Sequence, residues 1–223
     1  LLYRYCQERE VPFRNCGKLL VATEDSQIPT IEKIRLGAAE NGVTDLKIIS
    51  REEARELEPE VFCVKAILSP STGIVDSHSL MEAFKQDCET RGGTVVFNTR
   101  VIDGQVRDTG ILLRLRDELS GEVSELLCRS VVNCGGLHAQ KIAHSIEGVP
   151  AASIPRVYLS KGNYLTLAGR SPFRGLVYPV PEVGSLGIHS IVDLGGQTRF
   201  GPDQEAIEEI HYEVDPRRGD SFY

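Results

Sequence analysis

Residues 130–146 read S-V-V-N-C-G-G-L-H-A-Q-K-I-A-H-S-I, and this stretch decides the class of fold. Val131 to Cys134 is a continuous apolar run of the kind buried in a parallel sheet. Gly135-Gly136 follows, and Leu137 to Ile146 reads as a helix with Leu137, Ile142, Ala143 and Ile146 apolar. Glycines after a buried strand let the backbone approach a ligand, and the N–H groups opening the helix suit phosphate oxygens. A plain tight turn between strand and helix gives the same pattern.

Strand and helix signals alternate on both sides of this unit, which indicates an α/β (α+β) protein. Upstream, Asp76 or Ser77 caps a helix with Leu80, Met81, Phe84 and Cys88 as its apolar stripe. Gly92-Gly93 ends that helix, and Thr94 to Phe97 is a β-rich run. Val101 to Val106, Ile111 to Arg116 and Glu122 to Leu127 read as an antiparallel meander, with Asp103-Gly104 and Ser120-Gly121 as turns. Nearer the N-terminus, Gly17 to Ala22 reads as a buried strand. A helix capped by Ser26, with Pro29 in its first turn, runs to Asn41-Gly42 and carries Ile31, Ile34 and Ala38 on one face. Ser50 and Glu53 form a capping box for a short helix that Pro59 stops. After Val149 the composition shifts to prolines, glycines and short strands: Val157 to Leu167, Leu176 to Val180 and Leu186 to Val192. The acidic run Asp203 to Glu213 reads as a solvated helix face.

Composition narrows the function. The chain has 223 residues, 41% apolar and 26% charged, with a formal charge of −7. That balance argues against a nucleic-acid partner, whose affinity rests on Lys and Arg meeting phosphates. It argues equally against a basic surface held to anionic lipid. No apolar run reaches the ~18 residues of a membrane-spanning helix, and no targeting segment is visible. The six cysteines (6, 16, 63, 88, 128 and 134) include no C-x-x-C and read as reduced, mostly buried thiols. His78, His138, His144 and His211 show no metal-ligand spacing, so no metal is expected. No G-x-S-x-G elbow surrounds Ser153, Ser160 or Ser190.

The order of several motifs carries more than any one of them. G-I-V-D-S-H-S-L at 73–80, G-G-T-V-V-F-N-T-R-V at 92–101 and V-V-N-C-G-G at 131–136 resemble the D-amino-acid-oxidase-like flavoprotein superfamily. K-G-N-Y at 161–164, L-V-Y-P-V-P at 176–181, L-G-I-H at 186–189 and D-L-G-G-Q-T-R-F-G-P-D at 193–203 resemble its L-2-hydroxyglutarate dehydrogenase branch. G-R-S-P-F at 169–173, V-D-P-R-R at 214–218 and G-K-L-L-V-A at 17–22 agree. The resemblance implies FAD as cofactor, with Val101 at the adenine and Cys134, Gly135 and Gly136 beside the pyrophosphate. It implies a partial FAD-binding Rossmann-like domain, 1–16 and 71–148, interleaved with a mostly antiparallel substrate-binding domain, 17–70 and 149–223. The family's G-x-G-x-x-G turn and its closing flavin segment are not found, so the chain reads as an internal stretch whose FAD-domain sheet has an exposed edge.

The resemblance also implies oxidation of L-2-hydroxyglutarate to 2-oxoglutarate, with a quinone pool or oxygen as electron acceptor. Alternatives are another flavin oxidase acting on an amine or glycerol phosphate, and a non-catalytic fragment. The implied location is mitochondrial for a eukaryote, and inner-membrane-associated or cytoplasmic for a bacterium, through peripheral contact only. A dicarboxylate in a dry site calls for Arg, Lys or hydroxyl donors, and the oxidised hydroxyl calls for a base. His189 is the candidate base, since its ordinary pKa lies near neutrality. Arg199, between Gly195-Gly196 and Gly201-Pro202, reads as a loop residue brought over the substrate. Lys161 and Tyr178 are candidate carboxylate donors, and Thr198 and Asp203 shape the loop.

Overall fold

The computed structural model describes residues 1–181 and 186–222. The elements in order are α1 (Leu2–Glu8), β1 (Phe13–Arg14), β2 (Lys18–Ala22), α2 (Ile28–Glu40), β3 (Lys47–Ser50), α3 (Arg51–Leu57), β4 (Lys65–Ser69) and β5 (Ile74–Val75). Next come α4 (Ser77–Thr90), β6 (Thr99–Arg107), β7 (Gly110–Asp117), β8 (Val123–Cys128), α5 (Ala139–Ser145) and β9 (Ile146–Glu147). The last are β10 (Leu159–Lys161), β11 (Leu165–Thr166), β12 (Leu176–Pro179), β13 (His189–Val192), β14 (Thr198–Gly201) and β15 (Glu205–Ile207). The chain divides into two compact units, one of Leu1–Gln86 with Leu159–Tyr223 and one of Asp87–Tyr158.

The first unit is built on a seven-stranded sheet in the order β11-β14-β13-β12-β2-β4-β3. Every neighbouring pair is antiparallel except β12 with β2. Alternation along β2 explains its two cores, because successive side chains point to opposite faces. Leu19 and Val21 face Ala54 of α3 together with Val61, Ala66 and Val177. Ala22 and Leu20 face the other way, with Ile67 and Ile48, against Ile31 and Ile34 of α2. The helix α2 therefore covers that second face only over β2, β4 and β3. A third cluster joins Cys6 and Val11 to Ala83 and Leu80 of α4.

Local signals account for the helix ends. Ser50 Oγ accepts from the Glu53 N–H while Glu53 accepts from the Ser50 N–H, the expected capping box. Asp76 caps α4 by accepting from the His78 and Ser79 N–H groups. Ser26 does not cap α2: a 3₁₀ turn at Asp25–Gln27 precedes the helix, and the Ser26 hydroxyl turns to Glu24. The stripe expected on α4 is only partly buried. Ala83 is its buried residue, Phe84 rests against Tyr5 at 5.0 Å, and Met81 and Cys88 are exposed.

The second unit is a four-stranded sheet, β8-β7-β6-β9, on which α5 packs. The meander is antiparallel as expected, but Asp103-Gly104 is not a turn. Both residues lie inside β6, and the chain reverses at Asp108-Thr109. Gly104 is needed there because a Cβ would come within 2.6 Å of the Leu112 carbonyl. Two runs expected to be strands, Thr94–Phe97 and Ser130–Cys134, form none. Among the described residues no strand pairs with either run, and Val96, Phe97 and Val132 stand exposed. The acidic run from Asp203 holds the short strand β15 rather than a helix, because Glu205–Ile207 pairs with Leu159–Lys161.

Candidate functional site

The uncovered part of the large sheet is where chemistry-bearing side chains gather. Val177 lies opposite Ser190, so in an antiparallel pair Tyr178 lies opposite His189 and Leu176 opposite Ile191. Lys18 lies beside Leu176, and Ile191 lies opposite Arg199. One row across four strands thus reads Lys18, Leu176, Ile191, Arg199. The next row on the same face holds Tyr178, His189 and Gly201. A cleft of about 840 Å³ opens over this face, lined by Lys18, Tyr178 and Arg199 and, from the α4 side, by Asp76 and His78.

His189 is the most constrained member. It opens β13, and it is buried. Its ring stacks on Tyr178 with centroids 3.9 Å apart and planes 15° apart. Tyr164 meets it edge-on at 6.1 Å. Room for that second ring comes from Gly201, the residue opposite His189. Its φ is +150°, and a Cβ there would press on the Tyr164 ring. His189 Nδ1 lies 3.1 Å from the Gly187 carbonyl oxygen. A carbonyl only accepts, so Nδ1 carries the proton and Nε2 keeps its lone pair. Burial holds the imidazole pKa below its ordinary value, against the Gly187 hydrogen bond and with help from the Lys18 charge. A neutral histidine with a fixed tautomer is the form that accepts a proton.

The tyrosines are held in the opposite state. Burial, and for Tyr178 the neighbouring Tyr164, pushes both phenols above their ordinary pKa, so both remain donors. Arg199 lies within β14, not in a loop, and its guanidinium is 3.9 Å from Asp193. Both partners are about half exposed, and such pairs contribute little. Arg199 can therefore exchange Asp193 for a ligand carboxylate. Asp76 is held ionised by hydrogen bonds from Ser79 and His78, and these commit it to capping α4.

Lys161 is not part of this cleft. Its ammonium lies 3.4 Å from Glu205 and donates to the Glu213 carbonyl at 2.8 Å. That is a tie between the β10–β15 pair and the following segment. Asp203 is buried beside it, accepting from the Asn163 N–H at 2.6 Å and pairing with Arg218. Thr198 is buried in β14. Lys18 escaped notice in the sequence because G-K-L-L-V-A reads as a buried strand. The signal was a lysine placed on the alternation of an otherwise apolar central strand.

Within the second unit, Val101 and Gly135 line one cleft of about 600 Å³ with Arg100, Arg116, His138 and Lys141. The β6–β7 ladder slips between Val101 and Asp103, leaving Ile102 out of register. A bulge of this kind frees backbone groups for a ligand. A Cβ on Gly135 would meet Ile142 at 2.5 Å, so this glycine lets α5 approach. Gly136 has φ +55° with open space beside it, and Cys134 is exposed. The Gly135 N–H is already taken by Asn133 Oδ1 at 3.1 Å, which braces the turn. The bulge at Ile102, the glycine and Lys141 line this cleft, and its two arginines, Arg100 and Arg116, are both paired with Glu118 at 3.0 Å. All six cysteines are free, but only Cys6 and Cys63 are buried, so the thiols are more open than expected. No group of His, Cys, Asp and Glu among the described residues is arranged to hold a metal.

The family model for FAD-dependent oxidoreductases matches residues 1–222. The chain belongs to the FAD-dependent oxidoreductase family. Among its relatives, the mitochondrial L-2-hydroxyglutarate dehydrogenase of Arabidopsis thaliana is 35% identical over 100% of this chain and 54% of its own length. The human mitochondrial L-2-hydroxyglutarate dehydrogenase is 32% identical over 91% of this chain and 45% of its own. The chain thus spans about half the length of these curated relatives. Among solved structures, L-proline dehydrogenase from P. horikoshii superposes with a TM-score of 0.77 at 18% identity, covering 99% of this chain and 57% of that one. The FAD-bound L-α-glycerophosphate oxidase of Mycoplasma pneumoniae gives 0.74 at 19% identity, over 88% and 51%. The fold of this family member is therefore the FAD-dependent oxidoreductase fold, with a Rossmann-like mixture of helices and sheets.

Proposed function

We propose that this chain carries the substrate side of an FAD-dependent oxidation of L-2-hydroxyglutarate to 2-oxoglutarate. The observation behind it is the open sheet face, which carries a buried histidine whose Nδ1 holds the proton and, on the adjacent strand, an arginine able to exchange its partner. The names of the relatives support the choice of hydroxyacid.

His189 Nε2 takes the proton of the C2 hydroxyl as the carbon is oxidised. Stacking on Tyr178 and the Gly187 hydrogen bond hold its ring still, so little reorganisation accompanies the transfer. Arg199 grips a substrate carboxylate, bidentately where the approach allows. Tyr178, kept protonated by burial, donates to a substrate oxygen. Val101 and Gly135, which line one cleft with Arg100, Arg116 and Lys141, together with Cys134 and Gly136 of the same turn, would hold the FAD, which supplies the acceptor for the two electrons leaving C2. By function we divide the chain into 1–16 with 71–148 for the cofactor and 17–70 with 149–223 for the substrate, a division that differs from the compact units, where 1–16 and 71–86 group with the large sheet. The electrons pass on to a quinone pool or oxygen. We place a eukaryotic protein in the mitochondrion, following its relatives' names, with only peripheral membrane contact; no described helix is long and apolar enough to cross a membrane.

The test is product analysis with the FAD-loaded protein and an artificial electron acceptor. Formation of 2-oxoglutarate from the L but not the D enantiomer, matched mole for mole by reduced acceptor, is the expected result. Turnover of amines or glycerol phosphate instead would replace the hydroxyacid reading with another flavin oxidase.

A further inference from the structure

The open face carries a cation that the reaction above does not use. Lys18 stands at the β2 end of the row that ends with Arg199 on β14. Its ammonium lies 5.0 Å from the Tyr178 ring centroid, and it lines the same cleft as Arg199. Among the described residues it makes no ion pair. A lysine half-buried in the middle of a sheet, facing a cleft and lacking an anionic partner, is an expensive arrangement for structure alone. Three strand spacings separate Lys18 from Arg199, which is about 14 Å between their backbones. Lysine and arginine side chains are long enough to reach a short dianion set between those two backbones.

His189 sits between the two cations, on β13 next to the Arg199 strand and two strands from Lys18. With the hydroxyl carbon at His189, a substrate bearing two carboxylates meets one cation with each, Arg199 on the adjacent strand and Lys18, whose charge already reaches the imidazole.

We infer that Lys18 anchors one carboxylate of the substrate while Arg199 takes the other, which makes the site selective for 2-hydroxy diacids over 2-hydroxy monoacids. The inference rests on the hydroxyacid reading but is tested separately from it. Lys18→Met keeps the stem and removes the charge, and Lys18→Arg keeps the charge.

The measurement is calorimetric binding of glutarate and of butyrate to the FAD-loaded protein. Neither has a hydroxyl, so neither is oxidised. Loss of a charged hydrogen bond predicts glutarate binding weakened roughly 10- to 100-fold in Lys18→Met, with butyrate, which can still use Arg199, weakened much less. Lys18→Arg keeps most of the glutarate affinity. In parallel, the ratio of kcat/KM for L-2-hydroxyglutarate over L-2-hydroxybutyrate falls by the same factor in Lys18→Met. Unchanged glutarate binding, an equal loss for both ligands, or no glutarate binding to the wild type overturns the role of Lys18. A wild type that binds glutarate through Lys18 yet oxidises no hydroxyacid would instead refute the proposed reaction alone.

Discussion

The state of His189 makes a quantitative statement about pH. Burial holds its pKa below 6.5, and Lys18 lowers it further, against one hydrogen bond to Gly187. A histidine titrating at 6.5 is about three-quarters neutral at pH 7, and one below that value is more so. Between about pH 8 and about pH 5 the neutral fraction of such a base falls by roughly thirty-fold at most, and by less as the pKa drops. The acid limb of kcat/KM should therefore have its midpoint below 6.5, with a total loss over that range smaller than about thirty-fold. His189→Gln preserves size and a hydrogen bond to Gly187 but cannot take the proton. It is expected to lower kcat by about 10²- to 10⁴-fold and to abolish the limb. Lys18→Met should move the midpoint upward, since a neighbouring positive charge is gone. The assay is stopped-flow reduction of the FAD-loaded protein by L-2-hydroxyglutarate under anaerobic conditions across pH. A midpoint above 6.5, or a limb that survives His189→Gln, refutes the assignment of the base.

Three further expectations concern the frame that holds the site. The Glu58 carboxylate is buried and accepts from the Arg174 and Gly175 N–H groups, so Glu58→Ala should cost about 2–4 kcal/mol by urea unfolding, with Glu58→Gln in between. Asp203→Ala removes the buried acceptor shared by Asn163 and Arg218 and should cost about 3 kcal/mol near neutral pH. Burial raises the Asp203 pKa, but hydrogen bonds from Asn163 and Arg218 win and hold it below 3.8. The stability it contributes is thus complete above 3.8 and is lost as pH falls through the folded value, so the wild type and variant should converge in acid. Gly73→Ala puts a Cβ against Tyr3 Oη and the Arg14 carbonyl at the edge of the cleft, and should cost about 1–3 kcal/mol. Adding Tyr3→Phe should recover only part of that loss, because the carbonyl remains.

Much of this arrangement was legible in the residues. The strand at G-K-L-L-V-A, the Ser50–Glu53 box and the Asp76 cap are local signals, and each is realised where local chemistry put it. Thr94–Phe97 and Ser130–Cys134 failed as strands because strand formation is a property of pairs. Their side chains favour extension, but no described strand offers them an edge. At the site, residue types pointed to His189, Tyr178 and Arg199, but register decides what gathers. The glycines flanking Arg199 signal a loop and mask a four-residue strand. Lys161 looked like a ligand donor, yet β15 brings Glu205 across to it, a contact 44 positions distant that no motif encodes. Lys18 was overlooked for the same reason in reverse. Only the parallel pairing of β12 with β2 sets it beside Tyr178.

The most direct test of the account is a crystal structure of the FAD-loaded protein with 2-oxoglutarate bound. The account predicts the product on the open face of the large sheet, one carboxylate on Arg199, the other towards Lys18, and the C2 oxygen facing His189 Nε2. Product bound elsewhere, with that face holding only solvent, would contradict it.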